Sequence, residues 1–364
     1  MTCQKPMPLK QSGLSIVELM IALLLGSLLA IGLFQIFTSN SQAFRVTEGI
    51  ARTQESGRIA SDILAREARN AGYFGCNSQK YTSNLDIEEG DDDWDVFHWD
   101  MSTSVSSPAA ARPSGAINGT DFIYFNGMES LGLEIATDSP HTSASMDIRN
   151  AADDDRENLL SDGEIVAITD CQGTDVFQIT SFNPNNGNLV ANSGNAQSPG
   201  NDFTDNVCSN TGNPGAGNNC LSNNYGEGAQ ILRPFQRIYY IDDSGTTGNR
   251  ALMMEERLSG TVRTYEMVEG VEDLQVRYGL SGGPEQPVNQ WTDAESVNDA
   301  DWGNVRAVRV SILVRGGADN LFDDSVSVCF PAWADCSSGN NYDASDNRMY
   351  RVYSFTTNVR NKSN

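Results

Sequence analysis

The chain has 364 residues, which is enough for one large domain or two small ones. Its formal net charge is −24, and a surface of that sign repels nucleic acid, whose binding needs a basic footprint. We therefore exclude nucleic acid as a partner. The acidity favours solubility and an atmosphere of cations, and it says nothing about the fold.

The N-terminus combines a basic leader with a long apolar run. A leader with two lysines ends at Gly13, and the apolar run over residues 14–37 is interrupted near its start by Glu18. An ionisable group at the centre of a membrane costs roughly 2.5–3.5 kcal/mol, so it usually has a partner and a function. If the chain is cut after Gly13, the new amine of Leu14 lies about one helical turn from Glu18. The carboxylate can then pair with a cationic N-terminus, its own or a neighbour's, and dock one helix beside another.

This arrangement resembles the type IV prepilin signal, with Gly13 at the cleavage position and Glu18 as the fifth residue of the mature chain. In that family a membrane peptidase cuts after the glycine and methylates the new amine, here that of Leu14. An ordinary secretory signal or an uncleaved anchor is the alternative, but no small-x-small cleavage site follows the apolar run. Loss of the two leader lysines would leave 22 basic residues against 48 acidic ones, a net charge of −26.

The helical pattern continues beyond the apolar run. No proline occurs between Leu14 and Tyr73, so we predict one rod on the order of 80–90 Å, transmembrane over 14–37 and amphipathic over 38–72. Glycines at 49 and 57 weaken the helix by roughly 1 kcal/mol each and predict bending there. The apolar positions at steps of three and four that define the predicted buried stripe are Ala43, Phe44, Val46, Ile50, Ile59, Ile63 and Leu64.

Beyond Gly72 the apolar pattern changes to a period of two, which is typical of strands. Predicted strands lie at 122–125, 165–168, 176–180, 274–278 and 307–315. The segment 183–230 is rich in Asn, Gly and Ser and predicts a long loop insert that contributes little core. Residues 280–304 predict a second long loop, with Trp291 and Trp302 folding back onto the head. The fold class is α+β, with the helix packed on a mostly antiparallel sheet.

Several segments of the head are similar to the PilW family of minor pilins. They are 71–76, 169–177, 269–279, 305–310 and 356–361. The resemblance covers nearly the whole chain except the 183–230 insert and the acidic stretch around Asp91. It implies a type IV pilin-like fold with a cleaved leader at 1–13 and a periplasmic or extracellular head at 73–364.

That resemblance implies a minor pilin that helps to initiate type IV pilus assembly, remains in a tip-proximal complex, and supports adhesion and twitching motility. The implied partners are other minor pilins, the major pilin, a tip adhesin, the prepilin peptidase, and the inner membrane with its assembly platform. The chain would be a single-pass inner-membrane protein with a periplasmic head, and after assembly it would lie in the pilus at the cell surface. The alternatives are a minor pseudopilin of a type II secretion system and an adhesin head on a pilin anchor.

Six of the seven cysteines remain after loss of the leader, and an even set in an exported domain predicts disulfides. The expected pairs are Cys76–Cys171, Cys208–Cys220 and Cys329–Cys336, although six cysteines allow about 15 connectivities. No CxxC pair exists and only two histidines are present, which disfavours a zinc site.

The acidic clusters are weak calcium candidates. None of them has the spacing of an EF-hand, so a solvated loop is the preferred interpretation. The first cluster comprises Asp91, Asp92, Asp93 and Asp95, and two others lie at 153–155 and 323–324. We expect no cofactor and no enzyme activity, because the chain lacks HExxH and GxxxxGK[ST] motifs and has only two histidines for a hydrolase triad. A glycosidase is the rival, since it needs only two placed carboxylates.

Overall fold

The structure is a computed structural model that describes residues 15–76, 81–87, 104–107, 112–136, 145–149, 159–194, 198–206, 220–259, 261–283, 286–316, 321–322, 324–339, 341–344, 346–359 and 361. One helix, α1 (Ile16–Asn70), precedes a head made of strands. The strands are β1 (Tyr81–Ser83), β2 (Val105–Ser106), β3 (Ile123–Glu134), β4 (Ser145–Asp147), β5 (Ile165–Asp170), β6 (Gly173–Gln178), β7 (Ser181–Asn183), β8 (Asn188–Val190), β9 (Gln230–Asp243), β10 (Arg250–Leu258), β11 (Thr261–Glu269), β12 (Val271–Ser281), β13 (Val288–Asp293), β14 (Val305–Gly316), β15 (Ser327–Cys329), β16 (Asn341–Asp343) and β17 (Met349–Asn358).

The helix is continuous over 55 residues, as the sequence predicts, and it runs without a break through Gly49 and Gly57. Ser15 caps its N-terminus, where the side-chain oxygen accepts a hydrogen bond from the Val17 N–H at 3.3 Å. The helix ends at Asn70, and Gly72 then takes a positive φ of 77°, which a residue without a Cβ adopts at no steric cost.

Two main sheets form the head. The larger has eight strands and follows the order β1-β6-β5-β9-β10-β11, with β3 also paired to β9 and β2 to β3. The second has the order β13-β12-β14-β17. All of these pairings are antiparallel except that of β1 with β6. The mostly antiparallel α+β fold is therefore confirmed.

The helix packs on the four-stranded sheet, mainly on β14 and β17. Helix residues Ala60, Leu64 and Ala68 join a core cluster with residues of both sheets. The sheet residues at the centre of this cluster include Ile123, Phe125, Tyr239, Leu274, Val276, Tyr278, Val308, Val310 and Ile312.

The predicted stripe on the helix is wrong except at its C-terminal end. Leu64 is buried and Ile63 packs against the core, but Phe44 is 70 % exposed and Ile59 is 38 % exposed. The buried face consists mostly of small residues, namely Gly49, Thr53, Gly57, Ala60, Leu64, Ala65, Glu67 and Ala68. These residues let the helix backbone approach the sheet closely, which large side chains prevent.

The two predicted loops contain core residues and regular structure. The segment 183–230 includes β8, which pairs with β4 and β7, so the prediction that it contributes little core is wrong. Its buried side chains in the second core cluster are Leu189, Ala191, Phe203, Leu221, Tyr225 and Ala229. The segment 280–304 is also no simple loop, because β13 within it pairs with β12. Trp302 is buried and packs edge-on against Tyr278 at 4.9 Å, whereas Trp291 is half-buried.

Candidate assembly helix and head junction

The first half of α1 does not contact the described residues of the head. Between Ile16 and Phe37 the large apolar side chains are 52–80 % exposed. This segment is long and apolar enough to cross a membrane. The Ser27 hydroxyl within this segment donates to the Leu24 carbonyl at 2.8 Å, and just beyond the segment the Thr38 hydroxyl donates to the Phe34 carbonyl at 3.1 Å. The segment can therefore lie in lipid, or among other apolar helices, without an unpaired hydroxyl.

Glu18 lies in the first turn of this exposed segment. A carboxylate in this position interacts favourably with the N-terminal end of the helix dipole. The predicted cleavage position, Gly13 with Leu14, lies outside the described residues. The structure therefore places Glu18 at the start of the helix, where an amine at residue 14 would be within about one turn.

The second half of α1 meets the head through two close approaches. A Cβ added at Gly57 would lie 2.2 Å from a ring carbon of Tyr353 on β17. A Cβ at Gly316, the last residue of β14, would lie 2.6 Å from the Thr53 methyl and 3.0 Å from the Gly49 carbonyl oxygen. Both contacts require a residue without a side chain on one partner. Gly57 is therefore a packing position as well as a residue of low helix propensity.

The C-terminal end of the helix is tied to the head by backbone and side-chain hydrogen bonds. The Gly72 N–H donates to the Asn126 carbonyl on β3 at 2.8 Å, and the Met128 N–H donates to the Tyr73 carbonyl at 2.8 Å. Asn361 donates to the Asn70 and Ala71 carbonyls at 3.2 and 3.1 Å. The two bonds from Asn361 therefore satisfy the carbonyl of Asn70, which has no partner within the helix, and that of the following residue, Ala71.

A disulfide joins the same junction to the large sheet. Cys76 and Cys171 are bonded, with their Cα atoms 4.8 Å apart and a sequence separation of 95 residues. Beside the bridge, Thr174 on β6 donates to the Phe74 carbonyl at 3.0 Å. A second described bridge joins Cys329 and Cys336, which are only 7 residues apart. Cys220 is buried and disulfide-bonded, and its expected partner Cys208 lies outside the described residues.

An arginine that the sequence analysis missed connects the helix to three strands. Arg237 on β9 pairs with Glu67 of α1 at 3.4 Å, Glu129 of β3 at 3.3 Å and Glu256 of β10 at 2.9 Å. Burial disfavours the charged guanidinium, but the three carboxylates outweigh this effect and raise the pKa of Arg237. No local motif marks this residue, because its partners lie on three separate elements, α1, β3 and β10.

A buried aspartate fixes the end of the insert to the large sheet. Asp175 on β6 is fully buried and accepts hydrogen bonds from Asn84 at 2.9 Å, the Ser222 hydroxyl at 2.8 Å and the Tyr225 hydroxyl at 2.5 Å. Asn206 completes the network by donating to Asn84 at 2.6 Å and to the Cys220 carbonyl at 2.8 Å. The Asn-rich segment that predicts a loop therefore contributes Asn206 to a buried polar network.

Two further carboxylates lie where the two main sheets meet. Asp121 accepts a hydrogen bond from the Val276 N–H on β12 at 2.8 Å, and its own N–H donates to the Leu274 carbonyl at 2.7 Å. Burial raises the pKa of Asp121 to about 6, against the effect of the bond from Val276. Burial also raises the pKa of Asp273 to about 7, and the charge of Asp121 adds to the effect.

The predicted calcium cluster at Asp91, Asp92, Asp93 and Asp95 lies outside the described residues, and so does 153–155. Among the residues that are described, no group of three or more His, Cys, Asp or Glu could hold a metal ion. The arrangement as a whole is a helix whose exposed apolar first half continues into a second half packed on the head.

Two family models match segments of the chain. Residues 238–361 match the family model of the Type IV Pilus-assembly protein W, and residues 8–34 match the prokaryotic N-terminal methylation motif. The first match includes β14 and β17, on which the helix packs. Among solved structures, the chain is similar to the type IV-like pilin TTHA1219 from Thermus thermophilus, with 10 % identity over 86 % of this chain and 98 % of that chain, and a TM-score of 0.34. No curated protein matches the chain.

Proposed function

We propose that the chain is a type IV pilus minor pilin of the PilW family, as the two family-model matches support, and that it helps to initiate pilus assembly and remains in a tip-proximal minor pilin complex. Proteins of this family are structural, and a membrane-anchored pilin associates with other pilins. The single observation that carries the proposal is the exposed apolar half of an unbroken helix whose other half is fixed to the head.

Assembly begins with processing at the membrane. The prepilin peptidase cuts after Gly13 and methylates the amine of Leu14, and the helix stays in the inner membrane with the head in the periplasm. The residues at 14–37 then leave lipid for a bundle of neighbouring helices. Because lipid is as apolar as those helices, close packing and the charge of Glu18 supply the specificity. Glu18 pairs with the N-terminal amine of this chain or of a neighbour.

The head determines which neighbours can bind around the helix. The Cys76–Cys171 bridge and the Arg237 ion pairs prevent the head from swinging about the end of the helix. A rigid head presents the same surface in every copy, as a priming complex with other minor pilins, the major pilin and a tip adhesin requires. At the pilus tip this complex supports adhesion and twitching motility.

Deletion of the gene, with and without complementation, tests the proposal. We expect far fewer surface pili in the deletion strain, restoration by the wild-type gene, and immunogold label at one end of sheared pili. Secretion of type II substrates, measured in the same strains, is the control. Normal piliation with lost secretion would contradict the proposal and indicate a pseudopilin, and label along the whole shaft would contradict the tip position.

A further inference from the structure

The four-stranded sheet has one face under the helix and one face turned away from it. Side chains alternate between the faces along a strand. On β17 Tyr353 points at Gly57 of the helix, so its neighbours Ser354 and Thr356 both lie on the opposite face. Thr356 is the cross-strand partner of Arg309 on β14, which in turn is the partner of Arg277 on β12. These residues therefore share the face that points away from the helix.

A groove of about 490 Å³ lies on this outward face. Its floor is the sheet, and its wall is the segment closed by the Cys329–Cys336 bridge. That wall is held in place by the Ala332 N–H, which donates to the Ser311 hydroxyl of β14 at 2.9 Å. The lining residues are Arg309, Ala332, Trp333, Ser354, Phe355 and Thr356.

The groove is cationic in a strongly acidic chain. The lining contains no carboxylate, whereas the sequence has 48 acidic residues against 24 basic ones. Arg309 stacks on Trp291 at 4.5 Å and donates through Nε to the Thr356 hydroxyl at 3.4 Å. In the described structure its two terminal amino groups have no hydrogen-bond partner, so they are open to a ligand.

A second guanidinium lies directly beside the first. Arg277 is 5.4 Å from the Trp333 ring and pairs with Asp293 at 2.9 Å. Like charges that face each other across two strands destabilise a sheet. The stacking on the two indoles and the pair with Asp293 offset this repulsion, and an anion bound at Arg309 would offset it further.

We propose that this groove binds an acidic saccharide. A planar guanidinium binds a carboxylate or sulfate group through two parallel hydrogen bonds. The indole of Trp333 offers an apolar surface to the C–H face of a sugar ring, and the hydroxyls of Ser354 and Thr356 can bond to sugar hydroxyls. A neighbouring pilin is the less suitable occupant, because the helix that joins the bundle lies on the other face of the sheet.

The inference rests on the proposed function only for the exposure of the head at the cell surface, and its test does not need pili. The full chain in detergent micelles is titrated with polygalacturonate, with neutral dextran and with polyglutamate, and intrinsic tryptophan fluorescence reports binding. The variants are Arg309→Gln and Arg309→Lys. Arg263→Gln is the matched control, since Arg263 lines a different groove that contains Asp162, Glu164 and Glu256.

We expect polygalacturonate to bind and dextran not to bind. Arg309→Gln should weaken binding by about tenfold or more, the effect of losing hydrogen bonds to a charged group. Arg309→Lys should weaken binding less, because lysine keeps the positive charge and loses only the two parallel hydrogen bonds of the guanidinium. Arg263→Gln should have no effect on binding. Equal losses in Arg309→Gln and Arg263→Gln, or no binding by the wild type, would overturn the proposal. Polyglutamate that binds as tightly through Arg309 would show that the groove recognises carboxylates alone, which overturns the saccharide assignment.

Discussion

The two halves of α1 use different side chains because they meet different surroundings. The first half presents large apolar side chains that are 52–80 % exposed, whereas the second half packs on the sheet through a face of mostly small residues. Large side chains suit lipid and adaptable helix bundles. Small residues bring two backbones together and fix one geometry. One continuous helix thus serves as an anchor over its first half and as the mount of the head, the part that packs on the sheet, over its second half.

The strongest way to disable the anchor half is to prevent its maturation. Gly13→Leu should leave the leader uncut, because the peptidase must approach the backbone closely and glycine alone offers that access. Mass spectrometry of the membrane fraction measures the N-terminus. Gly32→Leu is a control, since a Cβ at Gly32 meets nothing within 4 Å. A mature N-terminus other than Leu14 in the wild type would contradict the assignment.

Glu18→Ala affects the anchor half without affecting the mount. The variant should insert and be cleaved, because loss of a charge makes the span more apolar, but it should assemble poorly because the partner amine is left unpaired in a dry site. Piliation of a strain with only this allele is the measurement. Glu48→Ala is the matched control, because Glu48 forms an exposed pair with Arg52 at 2.9 Å, and such pairs contribute about 1 kcal/mol at most. Normal pilus numbers in Glu18→Ala would show that the carboxylate is dispensable.

The Cys76–Cys171 disulfide is the covalent bond that joins the end of the helix to the large sheet. Cys76→Ser should lower the free energy of unfolding of the head by about 4–5 kcal/mol in the chain-entropy model, and Cys329→Ser by about 2 kcal/mol. The difference arises because the first bridge spans 95 residues and the second spans 7. Denaturant unfolding of the full chain in detergent compares the variants. Equal losses would show that loop closure does not decide the contribution of these bridges.

Cys220→Ser tests whether the segment 183–230 belongs to the core of the head. Cys220 is buried beside Leu221 and within the network of Asp175, so its replacement should destabilise the core of the head and not merely loosen a loop. An unfolding midpoint close to that of Cys329→Ser or below it is expected in the same titration. A midpoint equal to that of the wild type would restore the interpretation of 183–230 as a peripheral insert.

Helices and strands that follow from a local pattern of residues can be predicted from the sequence. The helix from residue 16 to 70 and the strands that contain Phe177, Val276 and Val310 follow from periodicity, and they are confirmed. The contact face of the helix cannot be predicted in this way, because periodicity depends on large apolar side chains and Gly57 has no side chain. Arg237 and Asp175 were missed for another reason, since their partners lie far away in the sequence. Asn84, for example, is 91 residues from Asp175.

Gly57→Ala tests the mount at its closest contact. The added Cβ would lie 2.2 Å from the Tyr353 ring, so the ring must move. Overpacking of this kind costs typically about 1–3 kcal/mol, which exceeds the gain of about 1 kcal/mol in helix propensity. Gly32→Ala is the matched control on the anchor half and should leave head stability unchanged. Thermal unfolding of both variants is the measurement, and a Gly57→Ala protein more stable than the wild type would show that Tyr353 moves aside freely.

The smallest expected effect is the pH dependence of the stability of the head. It involves Asp121 and Asp273, which lie where the two main sheets meet. Burial raises the pKa of these carboxyls to about 6 and about 7 from an ordinary value near 3.8. A carboxyl whose pKa is raised on folding contributes stability below its unfolded pKa and loses it as the pH rises through its folded pKa. These two groups should therefore make the head less stable as the pH rises from about 4 to about 8.

Asp273→Asn should remove part of this loss of stability, so the unfolding temperature of the variant should fall less steeply over that pH range than that of the wild type. Asp335→Asn is the control, because Asp335 is exposed and its hydrogen bonds to Ser337 lower its pKa. Parallel curves for the wild type and Asp273→Asn would show that Asp273 stays charged across this range, and that the contact between the sheets does not respond to protons.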